Sequence, residues 1–384
     1  MVSADKNFKE IDSRKLRSIV EKFAIRGKVQ SIEKINKGYI NQTYKVDTLS
    51  EAGHIHKYIL QRINNDVFKD VGLLMNNYWM VTEKLKTSYH LPGSAKGELS
   101  VLSLRLTKDG RTFLSDKTGF WRMAKFIDNT YSMDVAETPE IFGTAGEAFG
   151  LFIKRLAEIP LEDISETIPN FHNTVSRYRD LKSAIEADCC GRVREVGPEL
   201  EMIEKRMDCY SVICQALENG EIPTRICHND CNLNNILFDK TTHLPVAVID
   251  IDTVMPSSPL YDFGDSVRVG TCTAKDDEKD LSKVFCDLRY FEAYARGFLK
   301  SCGELLTKKE LELLPYASII ITSEDGIRFL TDYISGDVYY KTDRPGQNLD
   351  RARTQLHLAE DMIEKLPEFQ RILQNIYQET GLTV

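Results

Sequence analysis

Near residue 130 the apolar residues change their spacing, from the alternation of strands to the three- and four-residue steps of helices. Before that point, residues 29–35, 39–46, 57–63 and 102–106 are short, rich in Ile, Val, Tyr and Thr, and bounded by Gly, Asn or charged residues, so each reads as a strand. One helix is predicted among them over residues 71–85, where Val71, Leu74, Met75, Tyr78, Val81 and Leu85 share a face. Residues 121–131 follow as a connector. Thr138 and Pro139 then mark a helix start, with a hydroxyl to cap it and a ring that presets the first helical φ. Further helices are predicted over residues 173–187, 198–219, 277–300, 307–335 and 350–376, interrupted by a small hairpin at residues 236–238 and 246–251. The pattern implies an α+β chain, with a strand-rich lobe over residues 1–125, a larger helical lobe over residues 126–384, and a ligand cleft between them.

Composition narrows the function. Fifty Lys and Arg against 58 Asp and Glu leave a net charge of -8, so no global positive field draws nucleic acid or an anionic bilayer. The first ten residues, MVSADKNFKE, lack the apolar core of a signal peptide, and apolar runs such as residues 317–321 fall far short of a membrane span, so a cytoplasmic protein is expected. Nine cysteines form no regular framework and are read as reduced thiols. Cys227 and Cys231 flank His228 and Asp230, but no second ligand pair follows at zinc-site spacing.

The chemistry concentrates in residues 227–252, CHNDCNLNNILFDKTTHLPVAVIDID. Here Asp230 and Asn235 are followed, 20 residues after Asp230, by Asp250 at the end of an apolar strand. Phosphoryl transfer needs these residue types: one carboxylate to orient and deprotonate the attacking hydroxyl, and an amide with a second carboxylate to hold Mg²⁺ on the nucleotide phosphates. Asp and Asn are also turn formers, but five polar residues beside two apolar strands argue for a task. His228 reads as a brace for the loop, because phosphoryl transfer leaves little proton chemistry to a second group. The acidic run Asp276, Asp277, Glu278 and Asp280 reads as favourable charge in the first turn of a helix.

HNDxxxxN followed by VIDIDT resembles the aminoglycoside phosphotransferase-like kinases, small-molecule relatives of the protein kinases, and most closely the N-acetylhexosamine 1-kinases. The stretches KGYINQTY (37–44), YILQRIN (58–64), IPNFH (168–172), DTVMP (252–256), YDFGD (261–265) and GIRFLTDY (326–333) extend the similarity through nearly the whole chain. The resemblance implies a protein-kinase-like bilobal fold, ATP and Mg²⁺ as cofactors, and an N-acetylhexosamine (GlcNAc or GalNAc) phosphorylated on its anomeric hydroxyl. It also implies Asp230 as the base and Asn235 with Asp250 as metal ligands. Asp252 would point to the same side of an extended strand as Asp250 and support it or the loop at residues 253–256. Arg328 and Tyr339 match positions that hold the sugar, although Arg328 and Asp332 are also an i, i+4 helix pair.

On the nucleotide side the resemblance puts residues 37–44 where protein kinases carry a glycine-rich loop, with Gly38 its one glycine and Asn41 and Thr43 beside the nucleotide. A plain hairpin turn fits that stretch as well. Gln61 and Arg62 stand where kinases use a strand lysine, and Arg62 is the expected phosphate cation, while Glu83 reads as a solvated helix charge. Backbone groups from Lys125 to Ile127 are expected at the adenine edge, and His172 is expected to be structural. The same motifs admit a kinase of choline, ethanolamine or an aminoglycoside, whose cationic acceptor Asp332 and Asp337 would suit. They also admit a nucleotide-binding pseudokinase scaffold, against which the intact Asp230 argues. A monomer with a small-molecule sugar substrate is expected.

Overall fold

Alternation of apolar side chains builds an antiparallel five-stranded sheet from β1 (Lys28–Ile35), β2 (Gln42–Leu49), β3 (Ile55–Ile63), β4 (Leu114–Asp116) and β5 (Gly119–Lys125), with β5 between β3 and β4. The structure, a computed structural model, describes residues 11–35, 40–88, 99–100 and 102–383. One face of the sheet presents Tyr44, Val46, Tyr58, Leu60, Trp121 and Met123 to Leu16, Ile19 and Val20 of α1 (Ser13–Val20), forming a small separate core. The other face carries Thr43, Gln61 and Arg122 in one cross-strand row, Thr43 paired with Gln61 and Gln61 with Arg122.

A second, larger core joins α2 (Val71–Ser88) to the helical part of the chain. Its helices are α3 (Pro139–Leu156), α4 (Thr174–Ala187), α5 (Gly197–Tyr210), α6 (Val212–Glu218), α7 (Pro259–Thr271), α8 (Leu288–Cys302), α9 (Lys308–Leu313), α10 (Ala317–Ile334), α11 (Gln347–Glu364) and α12 (Leu366–Thr380). Thr138 caps α3 by accepting the Ile141 N–H at 3.4 Å. Helices α3 and α8 approach so closely that a Cβ at Gly297 would lie 2.0 Å from the Gly143 carbonyl oxygen, which requires glycine there. Two small sheets cross this body: β6 (Thr130–Tyr131) pairs with β8 (Ile236–Asp239), which pairs with β9 (Pro245–Val248), and β7 (Arg225–Cys227) pairs with β10 (Met255–Ser257). Among the described residues no helix is long and apolar enough to cross a membrane.

Several expected elements differ. Residues 121–125, expected to open the connector, belong to β5 in the sheet interior. Residues 102–106 contribute only an isolated bridge from Leu104 to Ala124. The helix expected over 198–219 breaks at Ser211, and that over 350–376 breaks at Lys365, where Pro367 starts α12. The acidic run lies outside α8, which starts at Leu288 behind the Asp287 cap. Asp276 and Asp277 instead pair with Arg351 and Arg344, each at 3.2 Å, so ion pairs and not a helix dipole balance them.

Candidate active site

Residues 228–235 run from β7 to β8, and buried groups fix this loop from behind. Asp262, in the first turn of α7, accepts the N–H groups of His228 and Asn229 at 2.8 and 2.7 Å. Asn229 has φ 65, a left-handed conformation that Asn tolerates better than most residues. Its amide donates to the Thr253 carbonyl at 2.9 Å. His228 Nε2 donates to Ile249 O at 3.0 Å while Nδ1 accepts the Asp230 N–H at 3.2 Å. Burial holds its pKa below the ordinary value, so the ring is neutral and serves as a brace between Phe149 and Phe152. His172 donates from Nε2 to Asn229 O at 2.9 Å and meets Glu324 at 3.2 Å. Burial opposes its charge, but the bond to Glu324 and that carboxylate's charge outweigh burial and raise its pKa.

Two amides aim the Asp230 carboxylate, those of Asn232 and Asn235. Asn235 Nδ2 reaches the carboxylate at 3.1 Å and the Asp230 main-chain oxygen at 2.8 Å, which turns its own Oδ1 the other way. Burial, and then the charge of Asp265, push the Asp230 carboxyl up to about 6, against the opposing pull of the Asn235 bond, Arg268 and Asn232. The hairpin of β8 and β9 brings the next carboxylate alongside. Ile249 N–H donates to Asn235 O at 2.8 Å, which sets Asp250 one residue beyond that bond. Asp250 has φ 57, an exposed side chain, and no hydrogen-bond or ion-pair partner among the described residues. The protein packed around it, then the charges of Asp252 and Asp230, raise its carboxyl above the ordinary aspartate value, with Arg122 opposing.

Asp230, Asn235 and Asp250 therefore share one corner. Among the described residues no three His, Cys, Asp or Glu side chains form a metal cluster. One carboxylate and one amide oxygen, completed by phosphate oxygens and water, is a common way to hold Mg²⁺. The open oxygens of Asp250 and Asn235 fit that ion. Cys227 and Cys231 are buried, and burial holds both thiols in the protonated form, which does not ligate metal well.

Asp252 does not share the direction of Asp250, because residues 251–253 form a 3₁₀ turn and not an extended strand. Its buried carboxylate accepts from both terminal nitrogens of Arg122, Nη2 at 2.8 Å, and from Asn41 Nδ2 at 2.6 Å. Asn41 Oδ1 in turn accepts the Asn64 N–H at 2.9 Å. Arg122 Nε donates to Gln61 Oε1 at 2.9 Å, and Gln61 Nε2 donates to Thr43 Oγ1 at 3.3 Å. Asn41 and Thr43 thus join a network that ends on Asp252. Arg122 was not among the expected site residues; its signal is an arginine set between Trp121 and Met123 in the apolar middle of a strand.

Arg62, expected to meet phosphates, lies on the opposite face of the sheet, its guanidinium 5.8 Å from the Trp121 ring. The two-residue period of β3 puts it with Tyr58 and Leu60, and gives the cleft side to Gln61. Glu83 pairs with Lys86 on its own helix. The Lys125 and Phe126 N–H groups are taken by Ser103 O at 2.8 Å and Lys57 O at 3.1 Å, so of residues 125–127 only Ile127 has an amide with no partner among the described residues. Gly38 lies outside the described residues.

Arg328 pairs one turn back with Asp325, at 3.2 Å, and not with Asp332. Asp325 also pairs with Arg268 at 3.2 Å, and Arg268 with Asp265 at 2.7 Å, which links this cluster to the surroundings of Asp230. Asp332 instead accepts the N–H groups of Val338, Tyr339 and Tyr340 at 2.9, 2.7 and 2.9 Å, and Asn348 Nδ2 at 2.8 Å. Asp337 accepts from Arg192 at 2.6 Å and Asn348 at 2.9 Å. Tyr339 is 47% exposed and packs edge-on against Tyr340, whose ring lies 5.8 Å from the Arg328 guanidinium.

An antiparallel sheet over a helical body, with an Asp–Asn–Asp corner between them, is a kinase-like arrangement. The fold is shared with an aminoglycoside phosphotransferase from Alicyclobacillus acidocaldarius (13% identity, 97% of this chain and 99% of that one, TM-score 0.61). A microcompartment-associated aminopropanol kinase (15% identity, 94% and 99%, TM-score 0.61) has the same fold. So has a spectinomycin phosphotransferase solved with ADP and spectinomycin (12% identity, 94% and 100%, TM-score 0.56). Residues 31–300 match the phosphotransferase enzyme family, and the chain belongs to it.

Proposed function

We propose that this phosphotransferase moves the γ-phosphoryl group of ATP to the anomeric hydroxyl of an N-acetylhexosamine, giving the sugar 1-phosphate and ADP. The observation that carries the proposal is the contrast between two carboxylates at one corner. Asp230 is aimed by two amides, as a base must be, whereas Asp250 has no partner among the described residues, as suits a cation ligand. With its carboxyl at about 6, Asp230 is mostly ionised at neutral pH yet more basic than a solvated aspartate, which suits it to take the acceptor proton. Asn235 and Asp250 would hold Mg²⁺, which when bound neutralises charge on the triphosphate. The Ile127 amide is the group best able to meet the adenine edge.

The way the nearby charges are used supports one acceptor class over the other. Asp325, Asp332 and Asp337 are each committed to arginines, asparagine or main-chain amides, so none remains to balance a cationic acceptor. This supports a neutral polyhydroxyl acceptor over choline, ethanolamine or an aminoglycoside. The choice of an N-acetylhexosamine rests on the resemblance in residues 326–333 and on Arg328 and Tyr339 as the groups that hold it. An anomeric hydroxyl is more acidic than an ordinary alcohol, so one carboxylate suffices as base. The spectinomycin enzyme's ADP supports a nucleotide donor. A scaffold would have no need of an aimed base. Turnover with ATP, magnesium and a panel of sugars and amino alcohols tests the proposal, and transfer to amino alcohols alone would replace the acceptor.

A further inference from the structure

Asp250 directly precedes the turn at residues 251–253, which is held from both sides of the cleft. On the helical side, Thr253 Oγ1 donates to His228 O at 2.8 Å and Thr253 O accepts from Asn229 Nδ2 at 2.9 Å. On the sheet side, Asp252 takes the fork of Arg122 and the amide of Asn41. Arg122 and Asp252 are 2% and 3% exposed. A buried pair of this kind adds little net stability, because the cost of desolvating two charges offsets most of their attraction. What it supplies is direction, since a planar guanidinium fixes a carboxylate in angle as well as distance. Gln61 Oε1 accepts from Nε at 2.9 Å, a third contact that helps fix the plane of the fork. Asp250 itself has φ 57, a left-handed conformation that Asp tolerates better than most residues, and it leads directly into this turn.

We infer that Arg122 is a positioning residue: through Asp252 it sets the turn that aims Asp250 into the cleft, and with Asn41 it ties that turn to the sheet. In protein kinases a strand lysine paired with a helix glutamate connects the sheet to the phosphates. Here a buried cation sits on β5, at the register partner of Gln61 in β3, and its carboxylate partner lies two residues from Asp250. The inference rests on the reading of Asp250 as the cation ligand.

Calorimetry of Mn²⁺ binding to the full chain saturated with ADP tests it, using Arg122→Lys, the pair Arg122→Met with Asp252→Asn, and Asp250→Ala. The pair removes both charges, so no lone charge is buried, and keeps an acceptor for Asn41. Arg122→Lys keeps the charge without the fork. Each Arg122 variant is expected to weaken Mn²⁺ binding by about 10- to 100-fold, the usual effect of losing a residue that orients a metal ligand. Metal-free ADP affinity and the melting temperature of the pair should stay close to the parent. Parent-like Mn²⁺ affinity in either folded variant, with binding abolished by Asp250→Ala, overturns the role of Arg122 and leaves the metal site standing. Unchanged Mn²⁺ binding in Asp250→Ala removes the metal site and this inference together. Failure of both Arg122 variants to fold would assign the residue to stability alone and overturn it too.

Discussion

Asn235 donates its side-chain amide to both the main-chain oxygen and the carboxylate of Asp230, at 2.8 and 3.1 Å, which locks the two residues together and leaves the Asn235 oxygen for another partner. One contact thus fixes the proposed base and orients a proposed metal ligand. Asp230→Asn keeps the shape of the side chain but removes the proton acceptor. It is expected to lower kcat by about 10²-fold or more, with ADP affinity unchanged. Steady-state rates with calorimetric ADP binding check this, and near-normal turnover in a folded variant removes Asp230 from the role.

The position of the Asp230 carboxyl predicts a pH dependence with opposite signs for activity and stability. Because burial raises it to about 6, the base is progressively protonated below that pH, and kcat/KM should fall there. Its folded value lies above the ordinary aspartate value of about 3.9, so its contribution to stability is full below that value and lost as pH rises through about 6. Melting curves of the parent and Asp230→Asn across this window should show the parent losing ground to the variant as pH rises. An activity limb near the ordinary aspartate value would contradict the assignment.

Asp332 is predicted to act through the loop it holds. Its carboxylate accepts three successive main-chain N–H groups and the Asn348 amide, and Asp332→Asn has one acceptor oxygen too few to keep them all. The expected loss of stability is about 1 to 3 kcal/mol for buried donors left unmet. The acceptor KM should rise, because Tyr339 is carried on this loop, while the ATP KM should not change. Chemical denaturation and steady-state kinetics measure the two effects.

Arg328 and Tyr339 separate the acceptor classes. If they hold oxygens of a neutral sugar, Arg328→Ala and Tyr339→Phe remove hydrogen bonds worth about 0.5 to 3 kcal/mol each and raise the sugar KM. For a cationic acceptor the sign reverses at Arg328, since deleting a nearby positive charge should improve binding. KM values for N-acetylglucosamine, N-acetylgalactosamine and choline in parent and variants distinguish these outcomes.

The Asp230 corner was legible in the sequence because Asp230, Asn235 and Asp250 lie within one hairpin-containing segment and their types match one chemistry. The α+β fold was legible because the apolar period changes along the chain. Arg122 was hidden because its partner Asp252 is 130 positions away, and no local spacing reports that contact. Arg62 and Gln61 are adjacent in sequence, and only the sheet face taken by Tyr58 and Leu60 decides which one meets the cleft. Asp332 looked like a helix-surface partner of Arg328 because i, i+4 spacing cannot show that a returning loop claims the carboxylate.

The most direct measurement of the central claim is transfer of labelled γ-phosphate from ATP in the presence of magnesium, with N-acetylglucosamine, N-acetylgalactosamine, choline and ethanolamine offered separately. Labelled sugar 1-phosphate, formed about 10²-fold or more slowly by Asp230→Asn, with no label on either amino alcohol, is the predicted result. Label on choline or ethanolamine with none on either sugar would contradict the acceptor, and no transfer to any acceptor by a folded, ADP-binding protein would contradict the hexosamine kinase proposal.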